Sequence, residues 1–155
     1  MRKHPTKIKQ GIYQIHGVNG CSNIIGENKL KILRIDIMVG GNAEKKRWVD
    51  NLIKGNKYAI QRMPKDQFLK KYSGKRTQGI VISFSGNIIQ SLPFFKLSKE
   101  NECLLVIDNL EDPQNLGQII RTAECANISG IILPEHQSVQ ITDAVLQVSQ
   151  GAFVH

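Results

Sequence analysis

The 155-residue sequence predicts an α/β protein in two parts, residues 1–86 and 102–155, joined by a linker at 87–101. Strand-like and helix-like patterns alternate along the chain, which is typical of layered α/β folds. The linker mixes Gly, Pro, Ser and Asn with a few apolar residues. The charge changes sign at the same place: residues 1–101 carry 20 Lys and Arg against 6 Asp and Glu, whereas residues 102–155 carry 1 against 7.

The first part is predicted to form a small α/β domain. Its opening segment, 12–18, alternates apolar and polar residues and then reaches the turn-forming pair Asn19-Gly20. Asn42 is the expected N-cap of the first helix, which carries an apolar stripe on one side. The elements predicted after the opening segment are a strand at 32–39, a helix at 43–55, a strand at 58–63, a helix at 64–74 and a strand at 79–85.

The second part is predicted to begin with a βαβ unit that contains a parallel sheet. Asn115 stands where the N-cap of its helix is expected. A further helix is expected after Ser138 or Thr142. The unit consists of a strand at 103–108, a helix at 116–127 and a strand at 130–134, and the expected buried face of the helix is Leu116, Ile119, Ile120, Ala123 and Ala126 or Asn127.

Composition argues against several classes of protein. The longest apolar runs are only a few residues, so no membrane span is expected. The basic N-terminus has no apolar stretch behind it and does not resemble a secretory signal. Cys21, Cys103 and Cys125 are odd in number and widely spaced, which favours reduced thiols over disulfides and gives no zinc-ligand spacing. We therefore expect a cytoplasmic protein without a metal site.

The strongly basic first part indicates a partner that is a polyanion. Its net charge of +14 contrasts with −6 in residues 102–155. Such asymmetry is typical of chains in which one half binds nucleic acid and the other has a different task. The alternative is a lysine-rich surface that reflects a biased composition, because basic faces are common without such partners.

Arg121 is the only basic residue in the last third of the chain, and it lies within the predicted helix of the βαβ unit. In such units the loop after a strand and the start of the next helix are where ligands bind. No Gly-x-Gly-x-x-Gly and no Gly-Lys-[Ser/Thr] is present, so a dinucleotide or triphosphate loop is not indicated. Spacing alone favours a modest interpretation, in which Asn115 caps the helix and Arg121 pairs with Glu124 or Asp112 on the surface.

The segment VIDNLEDPQNLGQIIRTAECANISGIILP closely resembles the first motif of the SpoU (TrmH) family of RNA 2′-O-ribose methyltransferases, within the knotted SPOUT superfamily. That motif is a strand ending in Asp, then Asp-Pro-x-Asn-x-Gly, then an Arg-Thr-Ala helix. SVQITDAVLQVSQGAF resembles the following segment, which runs into Ser-x-Gly-Ala. IYQIHGVN and TQGIV resemble parts of the family's RNA substrate-binding domain, so the resemblance covers nearly the whole chain.

The resemblance implies a methyl transfer from S-adenosylmethionine to a ribose 2′-hydroxyl of RNA, and the substrate-binding domain favours a guanosine of 23S ribosomal RNA. Arg121 matches the family's catalytic Arg and Asn115 its motif Asn. A guanidinium is a poor general base at neutral pH, so we expect Arg121 to hold a phosphate and the ribose oxygen, with Asn115 orienting it or its backbone. The family works as a homodimer. The cations expected to bind RNA phosphates are Lys45, Lys46, Arg47, Lys75 and Arg76.

The sequence departs from the family pattern at three points. Thr77 stands where His is common, and Gln147 where Lys is common. The family's two later motifs, which form the trefoil knot that binds S-adenosylmethionine, do not occur before His155. We therefore expect no cofactor-binding residue in this chain and no activity from it alone. The alternatives are a truncated, non-enzymatic RNA-binding module and an unrelated small α/β binding domain.

Overall fold

The computed structural model describes residues 11–90, 92 and 103–155. The first part forms a four-stranded sheet in the order β1-β4-β2-β3. Strand β4 is antiparallel to β1 and β2, and β3 is parallel to β2. The strands are β1 (Gly11–His16), β2 (Leu30–Met38), β3 (Ile60–Met63) and β4 (Ile80–Gly86), and the helices are α1 (Val18–Ile24), α2 (Arg47–Gly55) and α3 (Lys65–Lys71).

The two faces of this sheet are buried against different helices. Alternate residues of β4 point to opposite sides, as the period of a strand requires. Ile80 and Ile82 are fully buried in a cluster with residues of α1 and α2, whereas Val81 joins Phe68 of α3 on the other side. The strands predicted at 32–39, 58–63 and 79–85 are confirmed. Most of the predicted linker at 87–101 lies outside the described residues.

Two predictions near the start of the chain are wrong. Asn19-Gly20 is not a turn but lies inside α1; the chain turns at Gly17, whose φ is 88°. Gly20 allows α1 to lie against β1, because a Cβ there would be 2.9 Å from the Ile15 Cδ1. Helix α2 begins at Arg47, so Asn42 is not its cap and Lys45 precedes its first turn.

The second part contains β5 (Leu104–Val106), α4 (Pro113–Cys125), β6 (Gly130–Ile132), α5 (Asp143–Ser149) and a 3₁₀ turn (Ala152–Val154). Strands β5 and β6 pair in parallel and are connected by α4, which confirms the predicted βαβ unit. Asp112, not Asn115, caps α4: its Oδ1 accepts from the Gln114 N–H at 2.8 Å. Pro113 then takes the first helical position, where a missing N–H costs nothing. Asn115 therefore lies within the first turn of α4.

Helix α5 joins the second part to the sheet of the first. Leu146 belongs to the same buried cluster as the sheet core. Its neighbour Gln147 binds the free edge of β1, where the His16 N–H donates to the Gln147 Oε1 at 2.8 Å and the Gln147 Nε2 donates to the His16 carbonyl at 2.9 Å. The Gln14 N–H donates to the Asp143 Oδ1 at 3.0 Å. Gln147, one of the departures from the family pattern, thus connects the two parts of the chain.

The described helices are too short and too polar for any of them to cross a bilayer.

Candidate functional site

Helix α4 places Asn115 and Arg121 on different sides. Six residues of α-helix rotate a side chain by roughly 240° at 100° per residue. Asn115 lies beside a mainly apolar depression that also contains Ile119 and Ala123. Arg121 lines a polar cavity on another side of the helix. Both residues are exposed, and the structure does not bring them together.

The Arg121 cavity lies between α4, α1 and the segment that follows α5, and its volume is about 540 Å³. Arg121 makes no ion pair within 4.0 Å among the residues that the structure describes, so the pair predicted with Glu124 or Asp112 is not formed. A guanidinium is always charged and offers five donors in a planar fork. The cavity can therefore hold a phosphate or ribose oxygen beside a fixed positive charge. Its wall includes Asn19, Ser22, Asn23, Glu124, Cys125 and Gln150.

Gly117 brings α4 close to α5 at Val148, which lines this cavity. A Cβ at position 117 would lie 2.5 Å from the Val148 Cβ and 2.9 Å from the Val145 carbonyl oxygen. Only a glycine allows this approach without a shift of one helix. Sequence reasoning did not identify this role, although a glycine on the buried face of a helix is a signal for close packing.

Helix α1 forms the opposite wall and is held at both ends. The Val18 N–H donates to the Gln78 Oε1 at 2.8 Å, and the Asn23 Nδ2 donates to the Gln150 carbonyl at 2.9 Å. Gly151, with φ 90°, permits this second contact, because a Cβ there would lie 2.6 Å from the Asn23 Cβ. Local sequence pattern did not predict this wall, because α1 contains the Asn19-Gly20 pair that was predicted to be a turn.

The five cations predicted to bind RNA are all exposed and lie in or beside two loops at one edge of the sheet. One loop follows β2 and the other precedes β4, and these neighbouring strands are antiparallel, so both loops emerge at the same edge. The Ala43 N–H donates to the Gln78 carbonyl at 3.0 Å and joins them. We name this set the basic edge; it consists of Lys45, Lys46, Arg47, Lys75 and Arg76.

Glu44 holds the first of these loops in place. It accepts from the Gly40 N–H at 2.7 Å and from the guanidinium of Arg62. These two donors hold the pKa of the Glu44 carboxyl below its usual range, with the Gly40 N–H the larger cause. A charged acceptor thus fixes the loop that carries Lys45 and Lys46.

A buried carboxylate lies near the same end of the sheet, two residues before the end of β2, and was missed by sequence reasoning. Asp36 is fully buried, with the Arg34 Nε at 3.0 Å and the Lys71 Nζ at 2.8 Å. The Tyr72 hydroxyl also donates to it. Burial, followed by the adjacent Asp36 carboxylate, raises the pKa of Tyr72 to about 12. A charged residue within the apolar pattern of β2 was the available signal.

Comparison with known proteins identifies the family. Residues 102–155 match the SpoU rRNA Methylase family. The chain is 33% identical to a TrmH family tRNA/rRNA methyltransferase of Staphylococcus saprophyticus over 156 aligned residues. The alignment covers 96% of this chain and 55% of that protein. The corresponding protein of Staphylococcus aureus strain COL is 33% identical over 119 residues, 72% of this chain and 47% of its own length. The chain belongs to the SpoU/TrmH family, and it spans about half the length of these curated relatives.

Solved structures share the fold. The SpoU methyltransferase AviRb from Streptomyces viridochromogenes, in complex with the cofactor AdoMet, matches with a TM-score of 0.72 and 18% identity over 93% of this chain and 53% of its own. An AdoMet-bound rRNA methyltransferase from Sinorhizobium meliloti matches with a TM-score of 0.69 and 19% identity over 92% and 51%. These likenesses confirm the mixed α/β fold class.

Proposed function

We propose that this chain is the RNA-binding and Arg121-bearing portion of an RNA 2′-O-ribose methyltransferase. The observation that carries the proposal is Arg121 itself. It is the one Arg or Lys in residues 102–155, it lines a polar cavity, and it makes no ion pair within 4.0 Å with a described acid. A guanidinium that lies in a cavity and is not held in an ion pair suits an oxygen that becomes negative during the reaction.

The proposed substrate is ribosomal RNA, specifically a guanosine of 23S ribosomal RNA. Support comes from the first part of the chain, which resembles the substrate-binding domain of that branch of the family, and from the basic edge. Five exposed cations on joined loops would displace counterions from the RNA backbone, so the affinity should fall steeply with salt. The basic edge positions RNA without reading its sequence.

Arg121 acts by position and charge in this proposal. Its pKa lies above about 12, so it cannot remove the proton of the 2′-hydroxyl at neutral pH. Its fork instead holds a phosphate and the ribose oxygen together and stabilises the alkoxide that develops as the 2′-oxygen forms its new bond. Lysine, a single point charge on a flexible stem, would hold only one of these oxygens well.

Asn115 keeps its proposed catalytic role, but not as a direct partner of Arg121. Its position around α4 directs it to the depression between β5 and the helix. We propose that the Asn115 side chain orients the backbone of α4 from that side. A neutral amide there can donate and accept at once.

S-adenosylmethionine is the proposed methyl donor, as the AdoMet-bound relatives suggest. It supplies an electrophilic methyl group on a sulfonium. The apolar depression between β5 and α4 does not fit it. The depression beside Asn115 is open and is lined by no charged side chain that could hold the amino acid end of the cofactor. The chain is therefore assigned RNA contacts and Arg121 only, and a homodimer is proposed for the whole enzyme.

The test is methyl transfer from radiolabelled S-adenosylmethionine to ribosomal RNA by the complete enzyme. Arg121→Ala should reduce kcat by roughly 100-fold or more, because an electrostatic contact to the reacting oxygen is lost. Arg121→Lys is the charge-conserving control and should recover only part of the activity. Near-full methylation by Arg121→Lys would contradict the role of the planar fork.

The second candidate is a non-enzymatic RNA-binding module, which the five exposed cations of the basic edge would serve equally well. Calorimetry of the 155-residue chain separates cofactor binding from RNA binding. We expect salt-sensitive binding of RNA and no measurable binding of S-adenosylmethionine. A micromolar affinity for the cofactor would show that the site lies within this chain after all.

A further inference from the structure

The wall of the Arg121 cavity that faces α4 comes from the first part of the chain. Asn19, Ser22 and Asn23 lie on α1, and Arg121 and Glu124 lie on α4. The volume of about 540 Å³ is within the range of roughly 300–1,000 Å³ that is usual for small-ligand sites. A ligand in this cavity would therefore contact both the substrate-binding part and the proposed catalytic helix.

The polar groups on α1 are those that recognise a nucleobase or ribose. Ser22 donates its hydroxyl proton to the Asn19 carbonyl at 2.8 Å and keeps its lone pairs available. Asn23 donates to the Gln150 carbonyl and keeps its side-chain oxygen as an acceptor. The side chain of Asn19 is exposed and offers both an amide donor and an acceptor.

The cavity is lined by charges of both signs, which suits a ligand with both an anionic and a neutral part. Arg121 is accompanied by the Glu124 carboxylate, and His155 lines the same space. A carboxylate repels a phosphate but accepts hydrogen bonds from the N–H groups of a base. A single unstacked nucleoside, with its ribose towards Arg121, satisfies both charges.

Helix α1 also connects this cavity to the basic edge. Gln78 follows Lys75 and Arg76 by two to three residues, and its side chain holds the N-terminus of α1. The seven residues of α1 span about 10 Å at 1.5 Å per residue. That length equals about three nucleotides stacked 3.4 Å apart. An RNA strand whose phosphates lie on the basic edge can thus reach the cavity along α1.

We propose that α1 forms one wall of the pocket for the target nucleotide of the RNA, with Asn19, Ser22 and Asn23 contacting its base and Arg121 its ribose. This inference rests on the proposed function. Recognition of a flipped-out or single-stranded base by polar side chains is the usual route to specificity for RNA. Residues of the first part of the chain would then help to select the nucleotide that is modified.

Two native thiols provide a direct test. Cys125 is exposed and lines the cavity, whereas Cys103 is exposed but does not line it. The probe is a fluorescein-labelled single-stranded RNA of 20 randomised nucleotides at low salt, and its binding is followed by anisotropy. Alkylation of each cysteine by iodoacetamide is then followed by mass spectrometry. RNA at about four times its Kd occupies about 80% of the sites, so alkylation of Cys125 should slow about fivefold while Cys103 is unchanged.

Each other result has a defined meaning. If anisotropy shows that the RNA binds but the alkylation rate of Cys125 is unchanged, the proposed nucleotide pocket is wrong and the proposed function is unaffected. Failure of the RNA to bind at all overturns both. Protection of Cys125 by S-adenosylmethionine alone would assign the cavity to the cofactor and overturn the pocket.

Variants sharpen the test through the salt dependence of RNA affinity. The double variant Asn19→Ala/Ser22→Ala should weaken binding roughly 3- to 10-fold and leave the salt slope unchanged, because the lost contacts are neutral. Lys75→Ala/Arg76→Ala should instead reduce the slope. Asn51→Ala, on the exposed surface of α2, is the matched control and should bind as the wild type. Wild-type affinity of the α1 variant, with an unchanged melting temperature, would overturn the proposal.

Discussion

The four-stranded sheet and the β5–β6 pair differ in how completely they are buried. In the larger sheet Ile80, Ile82 and Phe84 are fully buried. In the smaller one no residue of β5 is buried and Val106 is 68% exposed. The residues proposed for chemistry belong to the less buried region, and α5 joins that region to the larger core. The first part therefore supplies the larger share of the buried core and one wall of the site, while the second part supplies Arg121.

Substitution within the two sheets should show this contrast most clearly. Phe84→Ala removes a fully buried ring that stacks on Phe153 at a centroid distance of 5.8 Å, and it should cost about 3–5 kcal/mol of unfolding free energy. Val106→Ala should cost less than about 0.5 kcal/mol, because its side chain is largely in water. Urea denaturation measures both. Equal losses would contradict the proposed division of stability.

The contact between α4 and α5 should be the next most sensitive. Gly117→Ala places a methyl group against Val148 and should cost about 1–3 kcal/mol through overpacking. Gly55→Ala at the end of α2 is the matched control, since nothing lies within 4 Å of its Cβ position and it should be neutral or slightly stabilising. Thermal unfolding compares the two. A harmless Gly117→Ala would show that the helices can separate freely.

The hydrogen bonds between Gln147 and His16 should contribute less. Gln147→Ala leaves a part-buried N–H and carbonyl of β1 without protein partners and should cost about 1–2 kcal/mol. Gln118→Ala, at an exposed position of α4, should change stability by less than about 0.5 kcal/mol. Gln147→Lys can donate but not accept, so it should restore only part of the loss. Chemical denaturation of all three variants measures these effects. Wild-type stability of Gln147→Ala would show that its hydrogen bonds to His16 do not stabilise the protein.

The smallest effect should be a pH dependence at the same contact. Burial lowers the pKa of His16 below its ordinary value of 6.5, and the nearby Lys75 lowers it further. The unfolded chain then binds a proton more readily than the folded one, so stability should fall as the pH decreases below about 6.5. His16→Gln should flatten this slope and keep the backbone contacts to Gln147. Denaturation midpoints at pH 7.5 and 5.5 test this; an identical slope in the variant would assign it to other groups.

The sequence predicted elements wherever local pattern and burial agree. The alternation of β2 and the apolar stripe of α4 repeat over enough residues to predict both elements. The end of the stripe was wrong, because α4 ends at Cys125 and both Ala126 and Asn127 are exposed. The cap of α4 was misassigned although Pro113 pointed to Asp112, since both Asp and Asn are good caps. Helix α1 was missed because its packing on Ile15 overrides the turn preference of Asn-Gly. The wall that α1 forms depends on contacts between distant residues, which no local pattern encodes. The same is true of the hydrogen bonds between Gln147 and His16, which are 131 positions apart in the sequence.

The attachment of α5 to β1 also bears on solubility. Strand β1 is at the end of its sheet, and an uncovered edge is a template on which another chain can add a strand. Here the side chains of Asp143 and Gln147 in α5 accept hydrogen bonds from the outward N–H groups of Gln14 and His16. Gln147 also donates a hydrogen bond to the His16 carbonyl. The helix thus covers the C-terminal half of the β1 edge, where a fifth strand would otherwise pair. Loss of Asp143 and Gln147 would expose a pairing edge and favour self-association as well as reduce stability.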